Sequence, residues 1–103
     1  KILMLFLSYW ELNENLSPKD IVKVGAGLLE KKLWPVEGVK ILGWYVAAGE
    51  VPTWGVTIEE AKTVEQVMKG VAVWTNAKPG LFKVVKVSPA MTAEDAMRVI
   101  MEM

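Results

Sequence analysis

Residues 38–58, GVKILGWYVAAGEVPTWGVTI, hold two runs of branched and aromatic residues separated by Ala48-Gly49-Glu50. Val39 to Ala47 and Val51 to Ile58 read as two strands of a hairpin, the short glycine-containing break supplying the turn. A helix is expected on either side. Upstream, Ser17-Pro18-Lys19-Asp20 combines an N-cap, a proline at the first helical position and an acid at N3. Ile21, Val24, Leu28 and Leu29 then recur at helical spacing to about Lys32, and Trp34-Pro35 closes the segment. Downstream, Thr63-Val64-Glu65-Gln66 is a capping box, with Val64, Val67, Met68, Val71 and Trp74 as the buried stripe of its helix. Asn76-Ala77-Lys78-Pro79-Gly80 stops it.

The outermost segments complete the pattern. Residues 2–10 are almost continuously apolar, as in a strand covered on both sides, and Leu81 to Val87 read as a fourth strand. Thr92-Ala93-Glu94-Asp95 caps a last helix carrying Ala96, Met97, Ile100 and Met101. The order β-α-β-β-α-β plus a C-terminal helix is the split βαβ pattern of ferredoxin-like α+β domains. Right-handed crossovers place both long helices on one face of a four-stranded antiparallel sheet of order 4-1-3-2. The 103 residues fit one domain, 1–103.

Composition removes several chemistries. Twelve basic and twelve acidic residues cancel, and the lysines are scattered, so no field gathers a nucleic acid. With neither Cys nor His, disulfides, thiolates, imidazole acid/base chemistry and His-ligated haem are out of reach. No metal site and no cofactor are expected. The opening KILMLFLSYW runs straight into Glu11 without a cleavage site, so it reads as a strand and not as a secretory leader. No run approaches the roughly 18–20 apolar residues of a membrane span, and a cytoplasmic location is expected.

The apolar fraction of 52% exceeds what one small core needs. Along the first strand, Leu3, Leu5 and Leu7 alternate with Ile2, Met4, Phe6, Ser8 and Trp10. The purely aliphatic row suits packing on helices, which assigns the mixed row to the open face. An apolar patch of that size calls for a partner, and a homodimer with sheets face to face is the simplest one.

The stretch Pro35-Val36-Glu37-Gly38-Val39-Lys40-Ile41-Leu42-Gly43-Trp44-Tyr45, the stretch Gly55-Val56-Thr57-Ile58-Glu59-Glu60-Ala61 before the Thr63 cap, and the run into Ser8-Tyr9-Trp10 share a pattern. They resemble the small DUF3303-type proteins of the dimeric α+β barrel superfamily, over roughly residues 2–88. That resemblance implies a dimer whose sheets face each other around a barrel, often with a small cavity per subunit. It implies no single chemistry, since relatives include cofactor-free monooxygenases, isomerases, haem enzymes and ligand sensors.

The candidate ligand-binding residues are Ser8, Trp10, Tyr45, Thr57 and Glu59. On the open face, the aromatics would wall an apolar organic ligand while Ser8 or the Tyr45 phenol orients it. Packing of the dimer core is the competing and favoured reading for Ser8, Trp10 and Tyr45. Tyr9 and Trp44 fall on the alternate parity. Glu59, on one side of its strand with Thr57, would act as a base if it stood at the mouth of an apolar cavity. A solvated Glu59-Glu60 pair at a strand end is the favoured alternative. Gly25 and Gly27 fall inside the first helix and read as close packing on the sheet, while the C-terminal methionines read as terminal-helix packing. The functional expectation is a homodimeric small-molecule-binding or structural module with an apolar pocket on the open sheet face, with a cofactor-free monooxygenase or isomerase acting on a hydrophobic, aromatic small molecule as the alternative.

Overall fold

The computed structural model describes residues 2–47, 49–50 and 52–103. The elements are β1 (Met4–Leu12), α1 (Pro18–Glu30), β2 (Lys40–Val46), β3 (Trp54–Ala61), α2 (Val64–Ala77), β4 (Phe82–Ala90) and α3 (Ala93–Met101). The sheet order β2-β3-β1-β4, antiparallel throughout, is the expected 4-1-3-2 read from the other edge. This is a ferredoxin-like α+β fold with an added C-terminal helix.

Local chemistry places the helices. Ser17, Thr63 and Thr92 accept hydrogen bonds from the N–H groups of Asp20, Gln66 and Asp95, at 3.2, 3.3 and 3.1 Å. Each oxygen satisfies a donor that the first helical turn leaves free. The Gln66 amide reaches back to the Lys62 N–H at 3.0 Å, one residue before the cap. At the end of α1, Lys32 adopts φ 56°, and the N–H groups of Lys32 and Leu33 return to the carbonyls of Leu29 and Leu28. That is a Schellman ending made with lysine where glycine is usual.

Several boundaries shift. β3 runs from Trp54 through Glu59 and Glu60 to Ala61, so the two glutamates lie within a strand and not at a solvated end. Of the expected hairpin, Ala48 and Val51 lie outside the described residues. β4 continues through Pro89, tolerated there because an edge strand has N–H groups that need no ladder partner. In α2 the buried positions are Val67 and Gly70, whereas Val64 and Met68 are largely exposed. Gly25 packs against the Trp74 ring of α2 and not on the sheet, and Gly27 meets open space.

The largest correction concerns the faces of β1. Phe6 is fully buried against Ala61 and Val67, with Val39 and Val87 beside it, and Ser8 and Leu12 are buried on the same side. The mixed even-numbered row therefore lies under α1 and α2. The bare face carries Leu5, Leu7 and Tyr9, joined by Val56, Ile58 and Tyr45 of the neighbouring strands. Both rows are apolar, so alternation could not tell them apart. What decides is the polar groups of the even row, which find partners across the strands under the helices.

α3 buries none of its residues, and Met97, Ile100 and Met101 are exposed, so the expected packing of the terminal methionines does not occur within the chain. Among the described residues no helix is long and apolar enough to cross a membrane.

Candidate functional site

A cavity of about 540 Å³ opens between the sheet and helices α1 and α2. Its floor is Ser8, Trp10 and Leu12 of β1 with Thr57 and Glu59 of β3, and its roof is the Ile21, Gly25 and Leu29 stripe of α1 with Val71 of α2. Trp34, Trp44 and Trp74 form one wall. The volume falls in the usual range for small-molecule pockets. Leu29, Trp44 and Val46 line it while remaining 46, 41 and 54% exposed, which puts the mouth between α1 and the β2 edge.

The fold makes this space for identifiable reasons. Gly55 stands beside Trp10 across the β1–β3 pair, and a Cβ there would fall 2.4 Å from the Trp10 ring and 2.3 Å from the Tyr45 carbonyl oxygen. The missing side chain lets the Trp10 indole lie flat on β3. Its Nε1–H then donates to Thr57 Oγ1 at 3.1 Å. The wall is held by ring contacts: Trp34 and Trp44 have centroids 4.7 Å apart, and Trp74 lies 5.6 Å from Trp34 and 6.0 Å from Trp44 at steep angles. Such tilted pairs use the positive edge of one ring against the negative face of another.

Among the described residues Glu59 is the one ionisable group in the lining. Only 5% exposed, it accepts a hydrogen bond from Ser8 Oγ to Oε1 at 2.5 Å, diagonally across the β1–β3 ladder. Among the described residues its other oxygen has no protein partner, and no buried polar side-chain atom is left unsatisfied, so Oε2 opens onto the cavity. Burial pushes the Glu59 carboxyl above the ordinary glutamate range, and the bond from Ser8 pulls it partly back.

That shift sets a pH dependence. A carboxyl whose pKa is higher in the folded chain holds its proton better there, so its stabilising contribution is complete below the unfolded value of about 4.3. It is lost as the pH rises through the folded value. Glu59→Gln should therefore gain melting temperature relative to the wild type progressively as the pH is raised from about 4. A constant difference across pH 4–8 would show that Glu59 is not desolvated.

Four of the five residues singled out from the sequence, Ser8, Trp10, Thr57 and Glu59, come together on this lining. They do so on the helix-covered face and not on the open one. Tyr45 does not join them. It pairs with Val56, which pairs with Tyr9, and it stands 61% exposed on the bare face. The irregularity between Ile41 and Gly43 sets Trp44 opposite Thr57, so Trp44 lines the cavity and Tyr45 turns away. Trp34 lies in a loop where no periodicity marks it, and Trp74 reads from the sequence as part of a helical core stripe. Five tryptophans in 103 residues were the available signal.

The sequence matches a family described as a domain of unknown function, DUF3303, over residues 4–103. The chain belongs to the DUF3303 family. Its fold is similar to that of the C-terminal domain of the MgtC protein from Mycobacterium tuberculosis, with a TM-score of 0.56 and 15% identity over 88% of this chain and 92% of that one. A hydroxynitrile lyase from Passiflora edulis aligns with this DUF3303 chain at a TM-score of 0.48 and 13% identity, over 88% of this chain and 95% of the lyase. No curated protein matches the sequence.

Proposed function

We propose that this DUF3303 protein is a homodimeric module that binds a small, largely apolar molecule between the sheet and helices α1 and α2. The observation that carries the reading is the cavity lining, in which a wall of tryptophans and aliphatic side chains surrounds a few polar groups, Ser8, Thr57 and Glu59 among them. Pockets of this composition reward apolar area and orient the ligand through a few polar contacts. Assembly is supported by the bare sheet face with Leu7 and Tyr45, and by α3, whose Met97, Ile100 and Met101 are exposed.

A thermal-shift series with small aromatic molecules tests the pocket. A ligand at 100 times its Kd stabilises the fold by about 2.7 kcal/mol. Ala26→Trp, at an exposed position of the rim, should abolish the shift by filling the mouth. Tyr45→Phe, on the opposite face, should leave it intact. Shifts that survive Ala26→Trp, or none with any compound, would count against the pocket.

A second reading, cofactor-free proton transfer as in an isomerase or oxygenase, is favoured by one feature: a buried carboxylate with a free oxygen and a raised pKa is equipped as a base. Its test is exchange of solvent deuterium into an aromatic ketone, catalysed by the wild type and lost in Glu59→Gln.

A further inference from the structure

We infer that the cavity selects organic cations, ligands whose ammonium nitrogen sits beside Glu59 Oε2 and whose apolar body lies against the tryptophan wall. The inference rests on the pocket proposed above and names its ligand class.

Three observations converge on it. Glu59 is 95% buried by its 5% exposure, yet only Oε1 has a partner, the Ser8 hydroxyl, and Oε2 is left facing the cavity. A buried carboxylate without a counter-charge is costly, and a ligand cation supplies what the protein does not. The second observation is the charge of the lining. Among the described residues that surround the cavity there is no lysine or arginine, and no aspartate, tyrosine or second glutamate. Every element that walls the cavity, β1 to β4 and both helices, contributes apolar or uncharged groups except for Glu59. An anionic ligand would meet a carboxylate and nothing to offset it. The third is the tryptophan cluster, whose rings lie within 4.7–6.0 Å of one another along one wall. Indole faces attract ammonium groups, most strongly where water is excluded.

These features set the direction of the pH response. Burial raises the Glu59 pKa in the empty site, and a cation beside it favours the ionised form. Cation binding should then tighten as the pH rises through the empty-site value. A quaternary ammonium, having no proton of its own to lose, isolates this effect.

Phenyltrimethylammonium and tert-butylbenzene have nearly the same shape and differ by one charge, and benzoate supplies the opposite sign. Titration calorimetry of the wild type should show phenyltrimethylammonium bound more tightly than tert-butylbenzene by about tenfold, with benzoate weakest. In Glu59→Gln the preference for the cation should fall to a few-fold at most, while tert-butylbenzene still binds. In the wild type the same preference should shrink as the pH is lowered through the Glu59 value, a readout that does not depend on the variant folding. Equal binding of the cation and its neutral twin, or a preference that persists in Glu59→Gln and at low pH, would overturn the cation inference and leave the apolar pocket standing. Binding of neither compound would overturn both.

Discussion

Replacing Phe6 with alanine should destabilise the folded chain by about 3–5 kcal/mol, a large part of the 5–15 kcal/mol that typically holds a small domain together. Phe6 has no exposed surface and is among the largest fully buried side chains, wedged from β1 onto Ala61 of β3 and Val67 of α2. Removing the ring costs its transfer from water and also leaves a void that Val39 and Val87 can fill only in part. Urea titration should show a lower midpoint with an unchanged slope, since the surface exposed on unfolding barely alters. A loss below about 1 kcal/mol would mean that Phe6 looks away from the helices and that the faces of β1 are reversed.

The second large effect is expected at the next residue, on the other side of the same strand. Leu7 lies in the middle of the bare face, between Ile58 of β3 and Ser88 of β4, and is 45% exposed in the single chain. If two copies join through this face, Leu7→Asp buries a charge without a partner in their interface. That costs about 3 kcal/mol or more, or roughly two decades in dissociation constant. Light scattering at micromolar concentration should then move from about twice 11.4 kDa toward 11.4 kDa, with the circular dichroism of the chain preserved. A wild type that already scatters as a monomer would refute the assembly. An unchanged dimer in Leu7→Asp would move the interface elsewhere, with α3 the next surface to examine. Adjacent residues thus separate stability from assembly: Phe6→Ala should weaken folding, and Leu7→Asp should weaken association.

On the bare face, Tyr9 donates to Glu11 Oε2 at 2.6 Å, and its ring lies 5.8 Å from Trp54. The bond to Glu11 raises the Tyr9 phenol further above its ordinary value, so Tyr9 stays a neutral hydroxyl. This face sets the apolar side chains of Leu5, Leu7, Val56 and Ile58 beside the charged groups of Glu11, Glu60 and Lys86, a mixture of apolar and polar groups of the kind protein surfaces use in contacts.

By itself the sequence determined the element order, the three N-caps and the strand pairing, because these depend on short-range signals. A capping oxygen acts within three residues, helical and strand periods show within ten, and the handedness of βαβ crossovers leaves few topologies once the order is known. The same sequence also brought forward Ser8, Trp10, Thr57 and Glu59, as polar or aromatic interruptions of apolar strands. Which face they occupy was decided only by tertiary structure. Two apolar rows alternate along β1, and a local pattern cannot say which one the helices will cover. The answer depends on Ser8 finding Glu59 fifty-one residues away, and on Trp10 finding the space that Gly55 leaves open. The parity of Trp44 and Tyr45 turned in the same way on an irregularity at Leu42, which no periodicity announces. The carboxyl of Glu59 followed from its place in the sheet: at a strand end it would have been solvated and ordinary, and within β3 under two helices it is buried with one oxygen free.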